Sequence, residues 1–314
     1  MQRLPIIDLT DCESSEVCVA CRDVGFMYVL GHGISPKLIE SVRRAVTNYF
    51  SQSGETKYAD VISRDNYRGY IPQNFFSAAG DSTPSDCYEG FKLHFEVNSD
   101  HPIRERCDLY GPNKWPDIDG FRESILAYWR ECDRVTRALL QSLSGALQVE
   151  AKILIEMFDV PLTNMTLLHY PPTEPAENVF GIHPHKDTDA LTILAPDPVG
   201  GLMVKSRDSD GWIDAKPHKD ALIVNIGDLL ELWSGGYFVS TPHKVVNTSG
   251  EERYSFPYFA VPRYDTVVEP LREPQIGFER GSVHVGDVSR EVWRTNWPDV
   301  VPDKPQFDLG TLED

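Results

Sequence analysis

The chain has 314 residues, 41% of them hydrophobic and 25% charged, which is enough apolar material for one large buried core. Lys and Arg number 30 against 48 Asp and Glu, a formal charge of -18; with no local basic patch, such a surface repels nucleic-acid backbones and anionic lipid headgroups. The opening MQRLPIIDLTD carries too short an apolar run for a signal peptide, and no later stretch approaches the ~20 apolar residues of a membrane span, so a cytoplasmic protein with no membrane partner is expected.

In chain order, LPIIDL reads as a strand, Glu13 to Asp23 as a helix, GFMYVLGHG as a strand, and Pro36 opens a helix running to about Phe50. Cys18 and Cys21 form a lone C-x-x-C inside the first helix; without a second pair, they and the other four cysteines are expected to be small apolar side chains rather than a disulfide, zinc or redox device. Between Tyr67 and Glu89 the text becomes irregular, mixing aromatics with turn residues, and a lid loop is expected there. From Asp117 to Gln148, apolar residues at Phe121, Ile125, Trp129, Cys132, Val135, Leu139, Leu143 and Leu147 recur at three-to-four spacing, predicting one long bracing helix.

After Met165 the pattern changes to short apolar runs separated by turns: MTLLHY, ALTIL, GGLMV, WIDA, ALIVNIG, HKVVN and YSFPYFAV. These predict a sandwich or barrel whose strands come last, as one connected set. The fold expected is mainly β with α support. Residues 1–115 form a supporting region with the lid loop, residues 116–314 form the long helix, barrel and tail, and the whole makes one compact unit. The Pro-rich acidic tail PDVVPDKPQFDLGTLED is expected on the surface or frayed.

GIHPHKDTDALTIL, residues 181–194, crowds two histidines and two aspartates ahead of a strand-forming run. On an extended strand His183, His185 and Asp187 share a face, but four residues of strand separate His183 from Asp187 by about 13 Å. Metal ligands must converge to ~2 Å from one ion, so the pair is His183/His185 or His185/Asp187. Pro184 lacks an N–H and is better placed just before a strand begins, which favours His185 and Asp187 on the strand proper. A third ligand must come from elsewhere, and of the nine histidines His243, opening an apolar strand after a turn, stands out. Arg253 and Ser255 are two apart and share a strand face; a planar guanidinium with a neighbouring hydroxyl is a socket for a carboxylate.

The ordered set His185-x-Asp187, His243 and Arg253-x-Ser255 resembles the isopenicillin N synthase-like group of iron(II) and 2-oxoglutarate-dependent oxygenases. HYPP at 169–172, GWIDAKP, ALIVNIGDLLELWSGG and STPHKVVN resemble that family's core, and LPIIDL and GFMYVLGHGIS its opening strands, so the likeness covers nearly the whole chain. The resemblance implies a double-stranded β-helix, or jelly roll, with a helical N-terminal region. It implies Fe(II) on His185, Asp187 and His243, and O2 as co-reactant. 2-Oxoglutarate, held by Arg253, Ser255 and Tyr170, is decarboxylated to succinate and CO2 while a small molecule is oxidised, most often hydroxylated. Leu168 stands where plant members often carry asparagine. Tyr67, Tyr70, Phe75, Phe76 and Phe91 precede the barrel where relatives close over substrate, and Leu202 and Phe259 could line its mouth. His183 is expected beside the site, Asp189 in a loop next to it, and His32, His94, His101, His169, His218 and His284 in ordinary structural roles. Three rivals remain: a zinc hydrolase on the same ligands, an iron oxidase that dispenses with 2-oxoglutarate, and a binding protein on the same fold.

Overall fold

A computed structural model describes residues 3–73, 75, 86–173, 180–247, 249–295 and 297. The front of the chain follows the expected order: β1 (Ile6–Asp8), α1 (Ser14–Asp23), β2 (Phe26–Leu30), α2 (Pro36–Phe50) and α3 (Gly54–Tyr58). Pro36 takes the first turn of α2 behind an extended Ser35, where its missing N–H has no helical partner to lose. The stretch expected as an irregular loop contains β3 (Gly69–Ile71), paired antiparallel with β4 (Glu89–His94). Phe76 and most of the expected lid lie outside the described residues, as does the acidic tail. The long helix is α4 (Phe121–Ser144), followed by α5 (Ala151–Glu156). Its buried stripe is wider than predicted: Tyr128 and Leu140 join it, whereas Trp129 is half-buried and meets the Tyr258 ring edge-on.

Then come β5 (Asn164–Tyr170), β6 (Ile182–His185), β7 (Leu191–Leu194), β8 (Leu202–Lys205), β9 (Trp212–Asp214), β10 (Leu222–Ile226) and α6 (Asp228–Trp233). They are followed by β11 (His243–Val245), β12 (Arg253–Ser255), β13 (Tyr258–Ala260), β14 (Val267–Val268), β15 (Val283–His284) and α7 (Val285–Thr295). Two sheets dominate. The larger runs β1-β2-β10-β7-β13-β5-β4-β3, with β12 also on β5; the smaller runs β6-β11-β8-β9. The expectation that the strands form one set in the second half is therefore corrected: β1–β4 extend the larger sheet beyond β10 and β5, covering edges that would otherwise present unpaired backbone.

Period-two alternation sorts the larger sheet's side chains. Met27, Phe91, Leu93, Met165, Leu167, Ile193 and Val224 pack with the α1, α2 and α4 core. Phe26, Tyr28, Leu168, Tyr170, Leu194 and Ile223 face Leu202, Val204 and Val245 of the smaller sheet. The space between the sheets is the interior of the jelly roll. None of the six cysteines is in a disulfide. Among the described residues no helix is long and apolar enough to cross a membrane.

Candidate active site

His185 ends β6 and His243 opens β11, and the two are cross-strand partners with ring centroids 4.3 Å apart. Past His185 the chain leaves the sheet and bends, bringing Asp187 Oδ1 to 3.7 Å from His185 Nε2 and 3.7 Å from His243 Nε2. All three candidate ligand atoms lie within 4.8 Å of one another, a separation that one ion ~2 Å from each can bridge. This corrects the expected local geometry. Pro184 lies inside β6, and Asp187 sits in the following turn rather than on a strand. Proline is tolerated because β6 is the outer strand of its sheet, where one N–H faces no neighbour.

Neighbouring groups leave one atom of each residue for a metal. His185 Nδ1 donates to the His183 carbonyl at 2.7 Å, and His243 Nδ1 to the Thr241 carbonyl at 3.3 Å, so both Nε2 atoms point inward with their lone pairs. Asp187 Oδ2 accepts from Thr192 Oγ1 at 2.6 Å and Asn225 Nδ2 at 2.8 Å, freeing Oδ1. His183 itself turns to Asp86, 2.5 Å from its Nδ1. Burial raises the Asp187 pKa, but the imidazoles of His243 and His185 and the two hydrogen bonds outweigh it and hold the carboxyl below its ordinary range. Burial, assisted by His185 and opposed by Asp187, brings His243 down to about 4. A carboxylate and a neutral imidazole are the protonation states that ligate.

The second cluster lies where β12 pairs with β5, setting Arg253 opposite Tyr170 and Ser255 opposite Leu168. Arg253 is 3% exposed, and its guanidinium carbon stands 4.6 Å from the centre of the Tyr170 ring. Nε donates to the Gly200 carbonyl at 2.6 Å, while Nη1 is buried with no hydrogen-bond partner among the described residues. Gly201 has φ +88, and a Cβ there would meet the Val246 carbonyl at 2.2 Å, so only glycine lets this turn lie against Val246 beside the arginine. Burial pushes Tyr170 up to about 12 against the opposing Arg253 charge, leaving a protonated hydroxyl beside the guanidinium. A buried cationic donor without an acceptor costs about 1–3 kcal/mol until a ligand satisfies it, so this cluster fits a carboxylate.

The C-terminal region, residues 162–262, matches the family model of the 2OG-Fe(II) oxygenase superfamily, and residues 4–118 match the N-terminal region model of the non-haem dioxygenases in morphine synthesis. The chain is 33% identical to a probable iron/ascorbate oxidoreductase of Dictyostelium discoideum over 87% of its length and 86% of the relative's. The chain belongs to the 2OG-Fe(II) oxygenase superfamily. Within that superfamily it is 36% identical to homoarginine-6-hydroxylase of Arabidopsis thaliana, over 80% of this chain and 70% of the relative. The crystal structure of JOX2 with 2OG, Fe and JA superposes with a TM-score of 0.78 at 28% identity, covering 96% of this oxygenase and 87% of JOX2.

The residues expected to meet substrate are scattered in this oxygenase. Tyr67 lines a cavity with Trp293 of α7, and Phe75 packs edge-on to Trp297 in the same aromatic group. Phe259 faces the interior, opposite Thr192 and Asn164. Leu202 lies in the apolar cluster between the sheets, with Leu168, Tyr170 and Val245. Tyr70 and Phe91 face away from that interior. They pair across β3 and β4 and point at the helices, where both meet Tyr49 and Tyr70 donates to Glu89 Oε2 at 2.6 Å. Sequence reasoning missed Thr192, Asn225, Trp293 and Lys92. For Lys92 a signal existed: in EGFKLH it alternates with Phe91 and Leu93 and so belongs to the opposite face.

Proposed function

We propose that this Fe(II)- and 2-oxoglutarate-dependent dioxygenase hydroxylates a small organic molecule, with His185, Asp187 and His243 as the iron ligands. Arg253 holds the distal carboxylate of 2-oxoglutarate, aided by Ser255 and Tyr170. The observation that carries the reading is the pairing of a two-histidine, one-carboxylate cluster with the buried Nη1 of Arg253, which has no partner among the described residues. A zinc hydrolase would use the first and leave the second without a purpose.

Bound there, iron would supply the O2 chemistry that links decarboxylation of 2-oxoglutarate to succinate and CO2 with oxidation of the substrate. The chain's own groups supply geometry. Thr192 and Asn225 fix which Asp187 oxygen faces inward, and the His183 and Thr241 carbonyls fix the tautomers of His185 and His243. Arg253, gripped at Nε by Gly200, presents Nη1 to the cosubstrate without having to reorganise. A small-molecule substrate agrees with the homoarginine-6-hydroxylase relative and with the JA complex of JOX2. The test is succinate release from 2-oxoglutarate with Fe(II) and O2, enhanced when a substrate is present. Failure of the Fe(II)-loaded protein to bind 2-oxoglutarate would refute the reading, and oxidation of a substrate without succinate would favour the 2-oxoglutarate-independent rival.

A further inference from the structure

Lys92 lies on the inward face of β4, opposite Thr166 of β5. Its Nζ donates to Asn164 Oδ1 at 2.7 Å and to Thr166 Oγ1 at 2.9 Å, and stands 5.4 Å from the centre of the Phe259 ring. An ammonium has three donors, and these two neutral oxygens satisfy two. Among the described residues no carboxylate pairs with it. Lys57, buried on the other side of the same sheet, shows the usual arrangement: its Nζ is 2.7 Å from Glu89 Oε2. In a chain of net charge -18, an unpaired ammonium facing inward is not a by-product of a basic surface.

Lys92 shares its cavity with Tyr67, Asn164, Trp293 and Thr188, the residue directly after the ligand Asp187. From Lys92 the inward face steps to Asn164 and Thr166, then Phe259, then Thr192, which bonds Asp187. Those three strand spacings amount to about 14 Å between the outer backbones, the scale of a small organic molecule with its side-chain contacts at either end. Burial lowers the Lys92 pKa to about 8 against the opposing charges of Asp187 and Asp189, so the amine is mainly charged at neutral pH. A buried cation, Arg68, stands 5.6 Å from the Trp293 ring with its Nε unpartnered among the described residues, adding positive potential behind the same wall. His94, next to both, is neutral because burial and these two charges hold its pKa well down.

We propose that the substrate of this oxygenase carries a carboxylate, and that Lys92 binds it, with the aromatic wall of Tyr67 and Trp293 against the body of the molecule. The inference rests on the reading of His185, Asp187 and His243 as the metal centre, and it makes Lys92 the residue that selects acids over their neutral analogues.

The test uses the full chain, loaded anaerobically with Fe(II) and 2-oxoglutarate, and matched probes: indole-3-acetate with indole-3-acetamide, 3-phenylpropanoate with 3-phenylpropanamide, and decanoate with decanamide. Calorimetric binding is measured for wild type, Lys92→Met and Lys92→Gln, with thermal unfolding as the check that each variant folds. At least one acid should bind wild type about tenfold to a hundredfold more tightly than its amide, the preference expected of a charge-assisted hydrogen bond, and the variant that folds should lose that preference. Equal binding of both members of every pair, absence of binding included, overturns the proposal, as does a preference that survives loss of the ammonium. Binding of 2-oxoglutarate to wild type is measured first; if it is absent, the functional reading itself has failed, and the two failures are told apart.

Discussion

Replacing Arg253 by methionine should separate ligand binding from folding. In the cosubstrate-free protein, the substitution removes the 2.6 Å bond from Nε to the Gly200 carbonyl and the guanidinium packed 4.6 Å from the Tyr170 ring, each worth about 1 kcal/mol. It also removes a buried Nη1 with no partner, whose desolvation costs about 1–3 kcal/mol. These contributions nearly cancel, and methionine fills most of the same volume, so the unfolding temperature should move by only a few degrees. With 2-oxoglutarate present, the variant loses the two charge-assisted bonds of a guanidinium to the distal carboxylate, about 1.5–3 kcal/mol each, and the dissociation constant should rise about 10²–10⁴-fold. Anaerobic calorimetry with Fe(II) measures this. The comparison with 2-oxobutyrate, which lacks the distal carboxylate, localises it: wild type should favour 2-oxoglutarate strongly and the variant hardly at all. An unchanged 2-oxoglutarate affinity, or an equal loss for both keto acids in a folded variant, would refute the assignment of Arg253.

Asp187→Ala should abolish succinate release and bring bound iron to background, since it removes the charged member of the ligand set; retained iron by elemental analysis would contradict the site. Thr192→Val, which loses the 2.6 Å bond to Asp187 Oδ2, should weaken Fe(II) binding about 10- to 100-fold in an anaerobic titration while leaving the ligands in place. On the helical side, Glu89 accepts from Lys57, Tyr70 and His169, and these bonds outweigh burial to hold its pKa below the usual 4.5. The stability it contributes is therefore complete above that value and lost as pH falls through the lowered one. Glu89→Gln should cost about 3 kcal/mol at pH 7 by urea denaturation, with a smaller difference at pH 4.

The cluster of His185, Asp187 and His243 could be read from the sequence because it rests on chain order and residue type, and the same kind of pattern put Arg253 and Ser255, the pair proposed for the cosubstrate, on one strand. What failed depended on pairing. Pro184 signals a strand boundary only if β6 is central, and its place at the edge of the smaller sheet is set by β11, far along the chain. Tyr70 and Phe91 belong to strands whose two faces are both buried, so apolar and polar residues do not alternate cleanly and composition cannot say which face meets the barrel. For Lys92 the alternation in EGFKLH gave the face opposite Phe91 and Leu93, but not which of the two faces the barrel. Trp293 reaches Tyr67 only through tertiary packing that no local pattern encodes.

The residues that mark function here are those that break a rule of stable folding. Arg253 buries a donor with nothing among the described residues to receive it, and Lys92 holds a half-buried cation beside two neutral oxygens where Lys57 has Glu89. Each carries a desolvation cost that an apolar side chain would not, about 1–3 kcal/mol for the Arg253 donor, offset in part by the contacts the rest of the side chain makes. A fold that keeps both, facing the same interior as the His185, Asp187 and His243 cluster, is suited to receive the two carboxylates proposed above, one on the cosubstrate and one on the substrate.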